Sequence, residues 1–84
     1  MSRKIVISVS FQEGHCAFGH KVGDKYIFDG HIPDICPSAW DVIFSYARVL
    51  IKGGDFEWAE RPGTCTVACP DGKNPVHFTL ERID

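Results

Sequence analysis

Between residues 3 and 11 apolar and polar side chains alternate, with Ile5, Ile7, Val9 and Phe11 on one side and Lys4, Ser8 and Ser10 on the other. A period of two predicts a half-buried strand. Gln12 to Gly19 breaks the pattern. Lys21-Val-Gly-Asp-Lys reads as a tight turn in which Gly23 supplies a positive φ. Tyr26-Ile-Phe-Asp then forms a short second strand closed by Gly30, and the prolines and aspartate between His31 and Pro37 predict an irregular loop.

A helix is expected over residues 38–52, where Ala39, Val42, Ile43, Tyr46, Ala47 and Leu50 recur at helical spacing. Ser38 stands as its N-cap with Asp41 completing a capping box, and Gly53-Gly54 supply the stop. Trp40, Phe44 and Ile51 add a second apolar stripe, more than one sheet face readily covers, so the excess is expected in a homo-oligomer interface. Two further strands follow. Residues 64–69 set Cys65, Val67 and Cys69 against Thr64, Thr66 and Ala68; residues 76–83 set Val76, Phe78 and Leu80 against His77, Thr79 and Glu81. Pro70-Asp-Gly-Lys-Asn-Pro joins them as a hairpin turn. The order β-β-α-β-β predicts an α+β fold, a single compact domain over residues 1–84 with one helix on a four-stranded antiparallel sheet.

Size and charge narrow the function classes. A chain of 84 residues buries only about 60–65% of the surface its unfolded form exposes, so a metal, a disulfide or a partner often supplements such a core. With 44% hydrophobic and 24% charged residues the composition is globular. A net charge of −2 with no basic stripe argues against nucleic acid or an anionic membrane as partner. The apolar stretch 39–51 is interrupted by Asp41 and Arg48 and is too short to span a bilayer. Met1-Ser-Arg-Lys runs straight into a strand, without a signal peptide, and the cytoplasm is the expected compartment.

The chemistry resides in cysteine and histidine. Four cysteines, at 16, 36, 65 and 69, are dense for a reducing compartment, where such a count favours metal or redox chemistry over disulfides. No C-x-x-C pair occurs; Cys16-x-x-x-His20 and Cys65-x-x-x-Cys69 are the close pairs. Cys16 and His20 fall on the first long loop, Cys36 at the helix entrance and Cys69 at a strand end, junctions that converge in a small α+β domain. Three thiolates and an imidazole suit zinc or an iron–sulfur cluster. The metal set is therefore Cys16, His20, Cys36 and Cys69, while Cys65 shares the apolar strand face of Val67 and belongs to the core. The function expected is that of a cysteine-rich accessory or electron-transfer protein working with a larger redox enzyme.

Two other readings stand beside it. Cys36 is a candidate catalytic thiolate if the helix begins at Pro37, with His20 or Asp24 carrying the proton. Or the chain is an oligomeric interaction module whose cysteines only pack. His15 is an alternative ligand to His20, His31 a further site candidate, and His77 a solvated strand residue. Lys21 and Asp24 are expected as a surface ion pair, Asp71 and Asn74 as turn-bonding residues. Phe56 and Trp58 are expected to cover the core, with a pocket wall beside the cysteines as the alternative.

The ordered set Cys16-Ala-Phe-Gly-His20-Lys-Val-Gly-Asp24, Cys36-Pro37, Gly54-x-Phe56-x-Trp58 and Cys69-Pro-Asp71 with Asn74-Pro-Val-x-Phe78 resembles an uncharacterised family of small bacterial and archaeal proteins of this length, often from anaerobes. The resemblance covers nearly the whole chain. It implies that Cys16, Gly19, His20, Gly23, Asp24, Cys36, Pro37, Cys69, Pro70, Asp71 and Asn74 are the family's characteristic positions, and it leaves Cys65 outside them.

Overall fold

A computed structural model describes residues 3–13, 19, 21–69 and 76–83. Along the chain run β1 (Lys4–Gln12), β2 (Lys25–Phe28), α1 (Pro37–Ile51), β3 (Thr64–Ala68) and β4 (Val76–Ile83). The strands make one antiparallel sheet in the order β2-β1-β4-β3. The α+β architecture and the element order are those the hydrophobic pattern predicts. No helix among the described residues is long and apolar enough to cross a membrane.

Alternation decides which side of the sheet is buried. Ile5, Ile7 and Val9 from β1, Phe28 from β2, Cys65 and Val67 from β3, and Val76, Phe78 and Leu80 from β4 all point at α1. The helix answers with Ala39, Trp40, Ile43, Ala47 and Leu50. Most of these side chains are removed from water entirely, and each buried valine, leucine, isoleucine or phenylalanine stabilises the fold by roughly 1.5–3 kcal/mol before entropy is set against it. Trp40, placed by its spacing in a second stripe, lies in this core with its ring 5.2 Å from that of Phe28. Tyr46 and Val42 are only half-buried, and Phe44 and Val49 stay exposed.

Two expectations are corrected. Phe11 does not continue the buried row of β1. The pairing with β4 slips between Val9 and Phe11, and this bulge turns Phe11 onto the opposite face, where its ring lies 4.9 Å from His77. Ser38 does not cap the helix. Pro37 occupies the first helical position and Cys36 is the N-cap, making no side-chain cap bond. Proline needs no partner for an N–H it lacks and arrives with a helical φ, which moves the start one residue upstream.

The far end of α1 is closed twice over. Gly53 N–H donates to the Leu50 carbonyl and Gly54 N–H to that of Val49, both at 2.9 Å, with Gly53 at φ 93°, the Schellman arrangement. A Cβ on Gly54 would lie 2.7 Å from Val49 Cγ1, so the second glycine is needed for space. Two guanidinium groups then take up carbonyls of the last turn. Arg3 donates to Ile51 O at 3.2 Å, and Arg82 to Leu50 O at 3.1 Å and Gly54 O at 2.8 Å. Arg3 precedes β1 and Arg82 lies near the end of β4, so these contacts bind the helix C-terminus to one end of the sheet.

Candidate functional site

The opposite end of the sheet carries the predicted ligands. Gln12, the last residue of β1, pairs with Val76, the first of β4, and Cys69 N–H donates to Val76 O at 2.8 Å. Gln12 and Cys69 are therefore about two strand spacings apart, roughly 10 Å. Cys16 follows Gln12 by four residues, but Cys16 and His20 themselves lie outside the described residues, as do His15, Pro70, Asp71 and Asn74. The segment that carries Cys16 and His20 rejoins the described fold at the turn before β2. There Gly23 N–H donates to Val9 O at 3.0 Å and Val9 N–H to Asp24 O at 2.9 Å.

Cys36 belongs to the same helix-bearing side. Fifteen residues of helix span about 22 Å, which separates Cys36 from the arginine-bound end of α1. Ile35, just before it, is buried, and Cys36 and Cys69 both flank the core half-buried as free thiols. Trp40 N–H donates to the Cys36 carbonyl at 2.9 Å, so the backbone of the cysteine is fixed while its sulfur makes no capping bond. No acidic residue occupies the first turn of α1. The unpaired N–H groups of that turn present positive potential beside Cys36.

Cys65 has the opposite environment. It is 3% exposed, and burial pushes its thiol up to about 11 from an ordinary 9.0, because the low-dielectric interior penalises the thiolate. The expected core role is its actual place. Near pH 8 its thiolate fraction is about a hundredfold below that of an ordinary thiol. Timed iodoacetamide labelling followed by peptide mass mapping should find Cys65 the slowest of the described cysteines, and labelling at the rate of Cys36 would contradict this burial.

Asp24 is engaged in structure. Its carboxylate accepts the Lys21 N–H at 3.0 Å and its own N–H donates to Lys21 O at 3.0 Å, so it shapes the turn through backbone bonds where a side-chain ion pair was expected. Its Oδ2 is held there unless the turn opens. His31 is almost fully exposed, with Nδ1 3.3 Å from Asp29 Oδ1. The hydrogen bond from the His31 N–H, with the imidazole contact second, holds the Asp29 carboxyl below its usual range. Among the described residues no three histidines, cysteines or carboxylates come together as a metal-binding group.

Phe56 covers the core as expected, whereas the recess that Trp58 walls adjoins Cys65 and neither Cys36 nor Cys69. Phe56 packs against the core and stacks on Trp58 at 4.8 Å, and each also meets Tyr46. Trp58 is largely exposed and walls a recess of about 220 Å³ with Arg61, Thr64, Thr66 and Thr79. Nothing in the alternation of β3 and β4 singled out these threonines. Only the register Thr66↔Thr79 sets them side by side, and Arg61 reaches over them to Glu81 at 3.4 Å.

Comparison with protein-family models, with curated proteins and with solved structures finds no match. The residues of this chain alone therefore carry the functional reading.

Proposed function

We propose that the protein is a small metal- or iron–sulfur-binding accessory or electron-transfer protein, holding its centre with Cys16, His20, Cys36 and Cys69 and serving a larger redox enzyme. The observation that carries this reading is the position of Cys69, bonded through its backbone to Val76 beside the strand end from which the Cys16–His20 segment leaves. The free, half-buried state of Cys36 and Cys69 against the inert burial of Cys65 supports the same division of roles. A bound zinc would brace the loops, whereas an iron–sulfur cluster would add one-electron transfer. The chain's own part is to present deprotonated sulfurs from rigid junctions, Pro37 fixing φ just after Cys36.

Protein purified without oxygen is expected to contain near-stoichiometric zinc or iron by elemental analysis. Iron with an absorbance near roughly 400 nm that bleaches on reduction selects the cluster, and colourless zinc protein selects the tetrahedral ion. Cys69→Ser should lose most of the metal and Cys65→Ala none of it. Metal-free protein with unaltered thermal stability would refute the proposal.

A second reading is supported by the helix start. Cys36 as N-cap, with its sulfur unused in capping and no acid in the first turn, is where a thiolate gains from the helix N-terminus. In a thiol-dependent enzyme His20 or Asp24 would carry the proton. This reading requires Cys36 to be alkylated selectively and faster than Cys69, and metal-free protein in which Cys36 reacts no faster than Cys69 counts against both readings.

A further inference from the structure

The recess beside Trp58 lies where the outer edge of β3 is half closed. The bonds at the ends of β3 fix the phase of its ladder with β4. Arg82 N–H donates to Gly63 O and Cys69 N–H to Val76 O, each at 2.8 Å, and bonded positions alternate in an antiparallel pair. Gly63, Cys65, Val67 and Cys69 therefore spend their backbone groups on β4, while Thr64, Thr66 and Ala68 turn theirs outward. Residues 58–61 block the start of this outward row. Thr64 is only 6% exposed there, and its hydroxyl donates to Arg61 O at 2.8 Å. Thr66 and Ala68 are exposed. The edge is thus a groove closed at the Thr64 end, and the recess sits at the closure with Trp58, Glu60, Arg61 and Thr66 on its lining.

Thr66 turns one N–H donor and one C=O acceptor toward this space, the pair that an extended residue exchanges with a neighbouring strand. A guest strand entering over Ala68 must stop at the closure, so what reaches Thr66 is the end of a chain. Arg61 selects which end. Its guanidinium has five N–H donors and bonds to Glu81 through one nitrogen at 3.4 Å, with both side chains well exposed, which leaves a charged fork suited to a carboxylate. We propose that the recess binds the C-terminal residue of an extended peptide lying antiparallel to β3. The terminal N–H donates to Thr66 O. One carboxylate oxygen accepts the Thr66 N–H and the other accepts from Arg61. The direction follows from the closure, because β3 runs from Thr64 to Ala68 and the guest, entering over Ala68 and ending beside Thr66, runs the other way. Trp58, held by its stack on Phe56 at 4.8 Å and its contact with Tyr46, gives the guest an apolar wall. The competing arrangement is the reverse polarity, with a chain's ammonium led onto Glu60. None of the proposed metal ligands takes part in this site, which does not depend on them.

Titration of the isotope-labelled full chain with acetyl-alanyl-threonyl-valine, its carboxylate free, should shift the Thr66 amide and Trp58 indole resonances saturably. Capping that carboxylate as a primary amide should weaken binding about tenfold or more, since a charge-assisted contact is lost. Arg61→Gln should do the same with unchanged circular dichroism, and Arg61→Lys should recover part of the loss. Should Arg61→Gln fail to fold, the amidated probe decides with the natural chain. No shift at Thr66, equal binding of acid and amide, or full affinity in a folded Arg61→Gln would each overturn the proposal. So would N-acetylvaline binding as tightly as the tripeptide, or tighter binding of an amidated peptide with a free N-terminus.

Discussion

Phe78→Ala is expected to cost about 3–5 kcal/mol of folding free energy. Phe78 is fully buried and stands in the sheet between Val9 of β1 and Val67 of β3. Truncation deletes six ring carbons at the centre of a layer built on side chains from three strands, and regular strands cannot close in to refill the space. A domain of 84 residues has roughly 4–13 kcal/mol to lose. Urea titration should show a large fall in midpoint, or no cooperative transition. Phe78→Leu, which keeps much of the volume, should cost about 1–2 kcal/mol. A loss under about 1 kcal/mol in the alanine variant would mean that the core is not organised around this ring.

Arg82→Met should cost about 2–3 kcal/mol, although it removes no apolar volume. The Arg82 side chain is 14% exposed, and its guanidinium bonds to Leu50 O, Gly54 O and, at 3.1 Å, Asp55 Oδ1. Asp55 in turn accepts the Gly63 N–H at 2.8 Å, so the guanidinium joins the helix end, the loop after it and the entrance to β3. Methionine keeps the aliphatic stem but takes the donor from Gly54 O and the charge from beside Asp55. Leu50 O and Asp55 Oδ1 keep their backbone donors, so the loss of charge-assisted bonds at a largely buried side chain carries most of the penalty. Arg61→Met is the control, because the Arg61–Glu81 pair has side chains 63% and 44% exposed and should contribute under about 1 kcal/mol. Added salt should erase the small difference at Arg61 and leave the large one at Arg82. Equal effects at the two arginines would show that the clamp adds nothing beyond surface charge.

The hydrophobic pattern revealed the elements because burial here follows strict local periods. Ile5, Ile7, Val9, Val76, Phe78 and Leu80 alternate in sequence as they do in space. Its failures are tertiary. The bulge after Val9 depends on how β1 meets β4, and alternation read from one strand carries no trace of its partner. The helix start turned on Pro37, whose fixed φ and missing donor outweigh the capping ability of Ser38. Arg82 carries no sequence signal of its role, since no local pattern tells that a guanidinium will meet carbonyls some thirty residues away. At the candidate site, the core role of Cys65 was legible from its strand face. The approach of Cys69 to Gln12 was not, because it requires the order β1-β4-β3. The ligand set remains a proposal drawn from chemistry and from that order.

That order also bears on synthesis. The two innermost strands are the first and the last, and Lys4 finds its partner in Ile83. Until β4 is present, β1 has only the four residues of β2 as a strand partner, and α1 alone covers the face of Ile5, Ile7 and Val9. Pairing of two strands so far apart along the chain is intrinsically slow to close. Chaperone dependence during expression, relieved in a circular permutant that makes β4 and β1 consecutive, is the behaviour this wiring dictates.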